Sequence, residues 1–266
     1  MKQQFARLLK GTVRGLLAVY LFPIRTSTAL FYYVKGVFFY SCTEHLYRAV
    51  RHINRRGKLS ADSVIIDVGA ADGGVALYFA KHYKNVVTHC IEPNSMMLPI
   101  LRERTRGNKN IALKNIALGS AKGEITLHVT ADSLASSLNE PNVEEVSKLV
   151  AAQQAKLEER EQIKVQMSTL DDEFKDISNV LLIKLDTQGT ELDVLRGGCE
   201  VLKKTQFVLT EMNNHHLYKN TCQYHEVDQF LRSRSFKLVD IIVTYRTDDE
   251  VYEYDALYEN QGMTAA

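Results

Sequence analysis

From Ser63 onward the apolar residues come in short runs, separated by stretches in which apolar and charged positions repeat at helical spacing. Val64–Val68 is such a run and ends at Gly69. Val86–Ile91 is a second, closed by Glu92-Pro93, and Ile111–Leu118 a third, followed by Gly119. Glu124–Thr130 alternates, Ile163–Met167 is strand-like, Val180–Asp186 is apolar enough to be a buried strand, and Phe207–Glu211 is another. Helical patterns fall between them at Gly74–Tyr83, Ser95–Arg106, Val143–Gln162, Glu191–Lys203 and Val227–Arg234, and Lys237–Val243 with Val251–Tyr254 predicts a terminal hairpin. Strands alternating with helices predict a Rossmann-like α/β domain over residues 61–266, with a mainly parallel, doubly wound, seven-stranded sheet and an antiparallel C-terminal hairpin. Residues 141–162 are expected to be a helical insertion.

The first 60 residues follow a different pattern. Residues 1–22 place Phe5, Leu8, Leu9, Val13, Leu16, Leu17 and Tyr20 at helical spacing, with Arg7, Lys10 and Arg14 on the other side. Residues 29–40 are rich in aromatics, and residues 42–56 read as a helix ending near Gly57. Charge sharpens the division. The chain's net charge is +1, but residues 1–60 hold 11 Lys or Arg against one acid, Glu44, and the remainder holds 22 against 31. A basic arm on an acidic body points the arm toward an anionic surface. The body is unsuited to gripping nucleic acid.

Cys42, Cys90, Cys199 and Cys222 are far apart and form no CxxC pair, which speaks against a zinc or disulfide framework. Cys90 and Cys199 lie in apolar stretches and are expected to be buried thiols in a reducing compartment. No run of 18 apolar residues predicts a membrane span, since Leu16–Phe22 is cut short by Pro23 and Arg25. A cytoplasmic protein is expected.

Three stretches carry candidate chemistry. Asp67-Val68-Gly69-Ala70-Ala71-Asp72-Gly73 follows a strand and opens a helix, and glycine there lets a ligand approach the backbone. A dinucleotide site is the main rival, but the spacing is G-x-x-x-G, and Asp67 and Asp72 would repel a pyrophosphate. Carboxylates there suit a cationic ligand. Glu92 ends the second strand, where a carboxylate accepts hydrogen bonds from ribose hydroxyls. Lys184 and Asp186 lie two apart on a strand and so share a face. Asp186 falls at the strand's carboxyl end, where sheet ligands bind. Glu211 ends the next strand, and His215 and His216 follow it. Asp186 and His215 are both candidate bases; a metal bound by Asp186, Glu211 and His215 has the ligand types but no tight spacing to support it.

The sequence resembles the FkbM-type methyltransferases. The matching pieces are IIDVGAADGG at 65–74, IEPN at 91–94, NIAL at 115–118, STLDD at 168–172, LLIKLDTQGTELDVLRGG at 181–198 and LTEMNNHHLY at 209–218. The resemblance implies a class I methyltransferase fold, S-adenosylmethionine as donor and a hydroxyl acceptor on a sugar, glycolipid or related small molecule. By it, Asp67, Gly69, Ala70, Gly73, Glu92, Pro93, Asn115 and Ala117 would hold the donor. Also by it, Lys184, Asp186 and Glu191 would shape the reaction centre; the residues themselves add His215 to Asp186 and Lys184 as a catalytic candidate and Glu211 to Glu191 on the acceptor side, with no metal. The chain departs from the family at Ser235, where a glycine commonly precedes the last core strand, and at Ala71-Asp72, where many members carry Asn. Two other classes stay open at this level: an NAD-dependent oxidoreductase or epimerase, and a non-catalytic membrane-associated binding protein. The arm at residues 1–40 is expected either to bind an anionic membrane surface, to pack on the domain, or to serve as a targeting peptide.

Overall fold

The structure, a computed structural model, describes residues 44–149, 151–246 and 249–264. The predicted helix over residues 1–22, the aromatic stretch 29–40 and Cys42 lie outside the described residues.

In chain order the elements are α1 (Glu44–Arg56), β1 (Ser63–Val68), α2 (Gly74–His82), β2 (Val87–Ile91), α3 (Leu98–Thr105), β3 (Ile111–Lys114), β4 (Ala117–Leu118) and β5 (Gly123–Thr130). Then come α4 (Val143–Val146), α5 (Ala151–Lys156), β6 (Glu159–Ser168), α6 (Leu170–Glu173), β7 (Asn179–Leu185), α7 (Glu191–Arg196), α8 (Cys199–Lys203), β8 (Thr205–Asn213), α9 (Tyr224–Arg232), β9 (Phe236–Arg246), β10 (Val251–Asn260) and α10 (Gln261–Thr264). Seven strands form the main sheet in the order β3-β2-β1-β7-β8-β10-β9. The pairs among β3, β2, β1, β7 and β8 are parallel, and β10 runs antiparallel to both β8 and β9. This is the mainly parallel sheet with a C-terminal antiparallel hairpin that the sequence predicts, and it is the class I methyltransferase architecture.

The central strands β1 and β7 are buried along almost their whole length because helices cover both faces. On one face α1 presents Leu46, Ala49, Val50 and Ile53 at helical spacing to Ile65, Phe207, Leu209 and Leu257, beside Phe79 of α2. The other face is packed by Leu170, Leu192, Leu195, Leu202 and Leu231 from α6, α7, α8 and α9. α1 is also tied electrostatically. Arg48 and His52 reach Asp240, Arg56 reaches Glu259, and His45 Nδ1 lies 3.4 Å from Asp255. It ends where Gly57 N–H donates to Ile53 O at 2.7 Å.

Several boundaries differ from expectation for identifiable reasons. The run Ile111–Leu118 is two strands. β3 joins the main sheet, and β4 pairs with β6 in a separate three-stranded sheet ordered β4-β6-β5. The predicted helix over Val143–Gln162 is helical only in α4 and α5; from Glu159 the chain is strand β6, paired in register with β5. The predicted helix Glu191–Lys203 breaks at Gly197-Gly198, where a Cβ on Gly197 would run into the carbonyl of Gly119 and one on Gly198 into Leu170. That break leaves Cys199 at the start of α8, half-buried rather than buried, while Cys90 is fully buried as expected. No described helix is long and apolar enough to cross a membrane.

Candidate active site

The loops after β1, β2, β7 and β8 meet at the carboxyl ends of these strands, and each brings one of the predicted polar groups. Gly69 has φ +80°, and a Cβ there would lie 2.8 Å from the carbonyl carbon of Asp186, so only glycine lets the β1 and β7 loops touch. The N–H groups of Gly69 and Ala70 both donate to Ile91 O, at 3.0 and 3.1 Å, tying the first loop to the end of β2. Ala71 takes φ 48° and thereby aims its N–H at Glu92 Oε2, 2.8 Å away. Asn94 N–H donates to Glu92 Oε1 at 2.7 Å. Each oxygen of Glu92 thus accepts one backbone donor and keeps a further lone pair. Burial raises the pKa of Glu92, against the pull of those two hydrogen bonds.

A cleft runs between these loops. Gly69, Ala71, Glu92 and Pro93 form one wall; Ala117, Asp186, Thr187 and Thr190 line it further along; and Ser133, Leu134, Ser137 and Leu138 from the segment after β5 close it. The donor-site residues predicted from sequence divide accordingly. Gly69, Glu92, Pro93 and Ala117 line the cleft. Ala70 packs inward with Ala76, Cys90 and Leu101. Gly73 seats α2 against Leu101 and Thr105. Asn115 donates to the carbonyls of Glu92 and Pro93 at 2.7 and 3.0 Å and so holds the β2 loop from outside. Asp67 is completely buried below the loop, and neither of its oxygens has a hydrogen-bond partner. Desolvation, with Lys184 pulling the other way, pushes its pKa up to about 7. The residues present fit a cationic adenosine-bearing donor: a glycine cradle that admits a ligand, a carboxylate with free lone pairs for a diol, and an unpartnered buried carboxylate beneath.

Beside the cleft lies an acidic crevice. Lys184 is 2% exposed, and its Nζ sits 2.6 Å from Asp186 Oδ2. Burial opposes its charge, but Asp186, Asp255 and Asp67 outweigh burial and hold the ammonium above its ordinary range. Burial likewise opposes the ionisation of Asp186, and Lys184 overrides it, leaving that carboxyl at about 2. Gln188 Nε2 donates to Asp186 Oδ1 at 2.8 Å and reaches Glu211 Oε1 at 3.2 Å, while Asn213 donates to the same Glu211 oxygen at 2.9 Å. Gln188 thus bridges the carboxyls of Asp186 and Glu211. Glu253 adjoins them, pushed up to about 7 by burial and the nearby Asp186, and accepts from Thr244 Oγ1 at 2.6 Å.

Other predicted residues take different places. Glu191 is buried, and its carboxylate accepts from Thr187 N–H at 2.9 Å and Gly189 N–H at 3.1 Å, so it fixes the loop that carries Asp186. His215 stacks on Tyr252, with ring centroids 3.9 Å apart, and lies 3.4 Å from Glu250. Asp186 and Glu211 meet; His215 has its own partners on the hairpin. Two residues escaped the sequence reading. Gln188, at φ 55°, links the two carboxyls. Tyr218, buried, donates to Ala135 O at 2.6 Å and so pins the segment after β5 over the crevice. Ser137 Oγ donates to Gln188 O at 2.7 Å, and Asn142 N–H to Leu217 O at 2.9 Å, so residues 133–142 rather than a long helix form this cover. The available signal for Gln188 was a polar side chain directly before Gly189 and two residues after Asp186.

Residues 67–238 match the methyltransferase FkbM domain family. The 2-O-methyltransferase NoeI of Sinorhizobium fredii is 28% identical over 187 residues, covering 67% of this chain and 74% of that protein. Among solved structures, an rRNA methylase from Streptococcus thermophilus aligns with a TM-score of 0.45 and 9% identity, over 83% of this chain and 99% of that one. A precorrin-6y C5,15-methyltransferase from Geobacter metallireducens aligns with a TM-score of 0.44 and 12% identity, over 84% of this chain and 90% of that one.

Proposed function

The chain belongs to the methyltransferase FkbM family and is an S-adenosylmethionine-dependent methyltransferase; from that premise we propose that it O-methylates a hydroxyl of a sugar, glycolipid or related small molecule. The observation that carries this reading is the Asp186–Gln188–Glu211 cluster, whose Asp186 lines the donor cleft. An alcohol is a poor nucleophile until a neighbouring group takes its proton, and two carboxyls placed together supply both an acceptor and a hydrogen-bonded mate. The relative NoeI carries 2-O-methyltransferase in its name, which supports an oxygen acceptor.

The donor, once bound, supplies a methyl group already activated on a sulfonium. The remaining work is alignment and exclusion of water. Glu92 holds the ribose, and Gly69 and Ala71 shape the wall beside it. Lys184 orients Asp186, which with Glu211 receives the acceptor hydroxyl. Residues 133–142 cover the crevice through their bonds to Gln188 and Tyr218. His215 takes the proton instead only if the acceptor extends to the hairpin.

Incubation with radiolabelled donor and separated glycan, lipid and small-molecule fractions tests the acceptor. Label is expected in carbohydrate-bearing material and should survive mild alkali, as an ether does. Alkali-labile label, or label in nucleic acid or protein, would overturn the reading. We also infer that the basic arm at residues 1–40 brings the enzyme to an anionic membrane surface, since each Lys or Arg near such a surface contributes about 1 kcal/mol. The full chain should sediment with anionic vesicles and release in high salt. Equal behaviour of a chain starting at Ser41, which lacks the arm but keeps α1, would contradict this.

A further inference from the structure

We propose that Glu211 is the proton acceptor of the transfer, and that it becomes one only when a cationic donor occupies the neighbouring cleft. The proposal rests on the hydroxyl-acceptor reading above. Gln188 Nε2 reaches both carboxyls, Asp186 at 2.8 Å and Glu211 at 3.2 Å, and so holds them side by side where Glu211 is buried; two neighbouring negative charges there are costly, so one carboxyl of the pair keeps a proton. The partners decide where it sits. Asp186 faces the Lys184 ammonium at 2.6 Å, whereas Glu211 receives only neutral amide donors, Gln188 at 3.2 Å and Asn213 at 2.9 Å. The charge therefore stays on Asp186 and the proton on Glu211.

The surroundings hold it there. Glu211 is faced by Asp186 and Lys184 from β7 and its loop, by Glu253 and its cross-strand partner Asp255 from β10, by Glu191 from α7, and by Tyr218 from the segment after β8. His45 of α1 pairs with Asp255 on the far side. Lys184 is the one ammonium among these groups. Burial first, and then Asp186, Glu253 and Glu191, raise the pKa of Glu211 well above the ordinary carboxyl range. A protonated carboxyl takes no second proton, so the crevice without donor holds no free base at Glu211.

A cation in the cleft changes this. Asp186 lines the cleft, and Gln188 joins it to Glu211. A positive charge within about 4–6 Å lowers a carboxyl's pKa by about 1–3. Glu211 then releases its proton to solvent and stands ionised. In the transfer, a lone pair of the acceptor oxygen forms the O–CH₃ bond. The S–CH₃ bond breaks with its electron pair left on sulfur, and the acceptor's O–H proton passes to Glu211. The sulfonium's positive charge and Glu211's negative charge disappear together, so the crevice returns to its resting protonation when the neutral thioether leaves.

Calorimetric titration of the full chain at pH 7, in buffers of differing ionisation enthalpy, counts the protons released on binding without any acceptor present. S-adenosylmethionine should release about 0.5–1 proton per site. S-adenosylhomocysteine, which lacks the sulfonium, should release clearly less. Glu211→Gln should still bind the donor but lose the difference between the two ligands, and Glu211→Asp should restore some of it. Glu200→Gln, at an exposed position of α8, should leave the difference in place. Turnover of Glu211→Gln should fall by about 10²–10⁴-fold. Equal release by the two ligands, or an unchanged difference in Glu211→Gln, overturns the proposal. If Glu211→Gln does not fold, the wild-type chain decides: affinity for S-adenosylmethionine should rise with pH through the neutral range while that for S-adenosylhomocysteine rises less, and parallel profiles would refute the assignment. Because no acceptor is involved, this result is independent of whether label reaches carbohydrate.

Discussion

Gly69 and Gly107 have nearly the same backbone angle, φ +80° and +82°, but opposite surroundings. An alanine Cβ at Gly107 meets nothing within 4 Å, whereas at Gly69 it lies 2.8 Å from the carbonyl carbon of Asp186 and closer still to its oxygen. Gly107→Ala should therefore carry only the left-handed penalty, about 1–2 kcal/mol. Gly69→Ala carries that and must also push apart a pair of pinned backbones. Asp186 N–H is bonded to Val68 O at 3.0 Å, and Gly69 N–H to Ile91 O at 3.0 Å. Losing one or two such bonds adds about 1 kcal/mol each, for a total of about 2–4 kcal/mol. The relief moves Asp186 by about an ångström, a misplacement that lowers turnover about 100-fold. Urea midpoints for both variants, with donor titration and turnover, test this. Equal stability losses, or Gly69→Ala with full donor affinity and rate, would refute the reasoning.

Glu92→Ala should lose donor affinity by tenfold or more, about 1.5–3 kcal/mol by calorimetry; unchanged affinity would remove Glu92 from the ribose. Asp67, pushed up to about 7 from 3.8, binds a proton in the folded state that the unfolded chain releases. Its contribution is therefore complete below about pH 4 and is lost as pH rises through 7. Asp67→Asn should flatten the fall in stability between about pH 4 and 7, and an identical pH profile would contradict the burial argument. Ser235 sits at φ 67°, so Ser235→Gly should raise stability by up to about 1 kcal/mol, read from the denaturant midpoint; a loss of stability would show that Ser235 is not strained.

The main-sheet strands were legible because Val64–Val68 and Val180–Leu185 are apolar but for one residue each, Asp67 and Lys184, and so nearly satisfy the condition that burial on both faces imposes. The glycine loop, Glu92 and Asp186 were legible because each stands at a strand's carboxyl end. Local pattern fails where distant contacts decide. Glu159–Gln162 is charged and reads as helix, yet it pairs with β5 because one side of β6 faces solvent. Gly197-Gly198 breaks a helix for the sake of Gly119, nearly 80 residues upstream. The roles of Glu191, Asn115 and Gln188 depend on which atoms the loops bring within hydrogen-bond reach. Nothing in residue order distinguishes a carboxylate that fixes a loop from one that faces a substrate. The departure at Ser235 did have structural content: the family's glycine position is a left-handed one in this chain.

A crystal structure of the full chain with S-adenosylhomocysteine tests the central claim most directly. The account predicts the ribose hydroxyls on Glu92, the adenine toward Ala117 and Leu138, and the sulfur facing the crevice that holds Asp186 and Glu211. A ligand with its sulfur directed away from Asp186, or one bound without contact to Glu92, would contradict it.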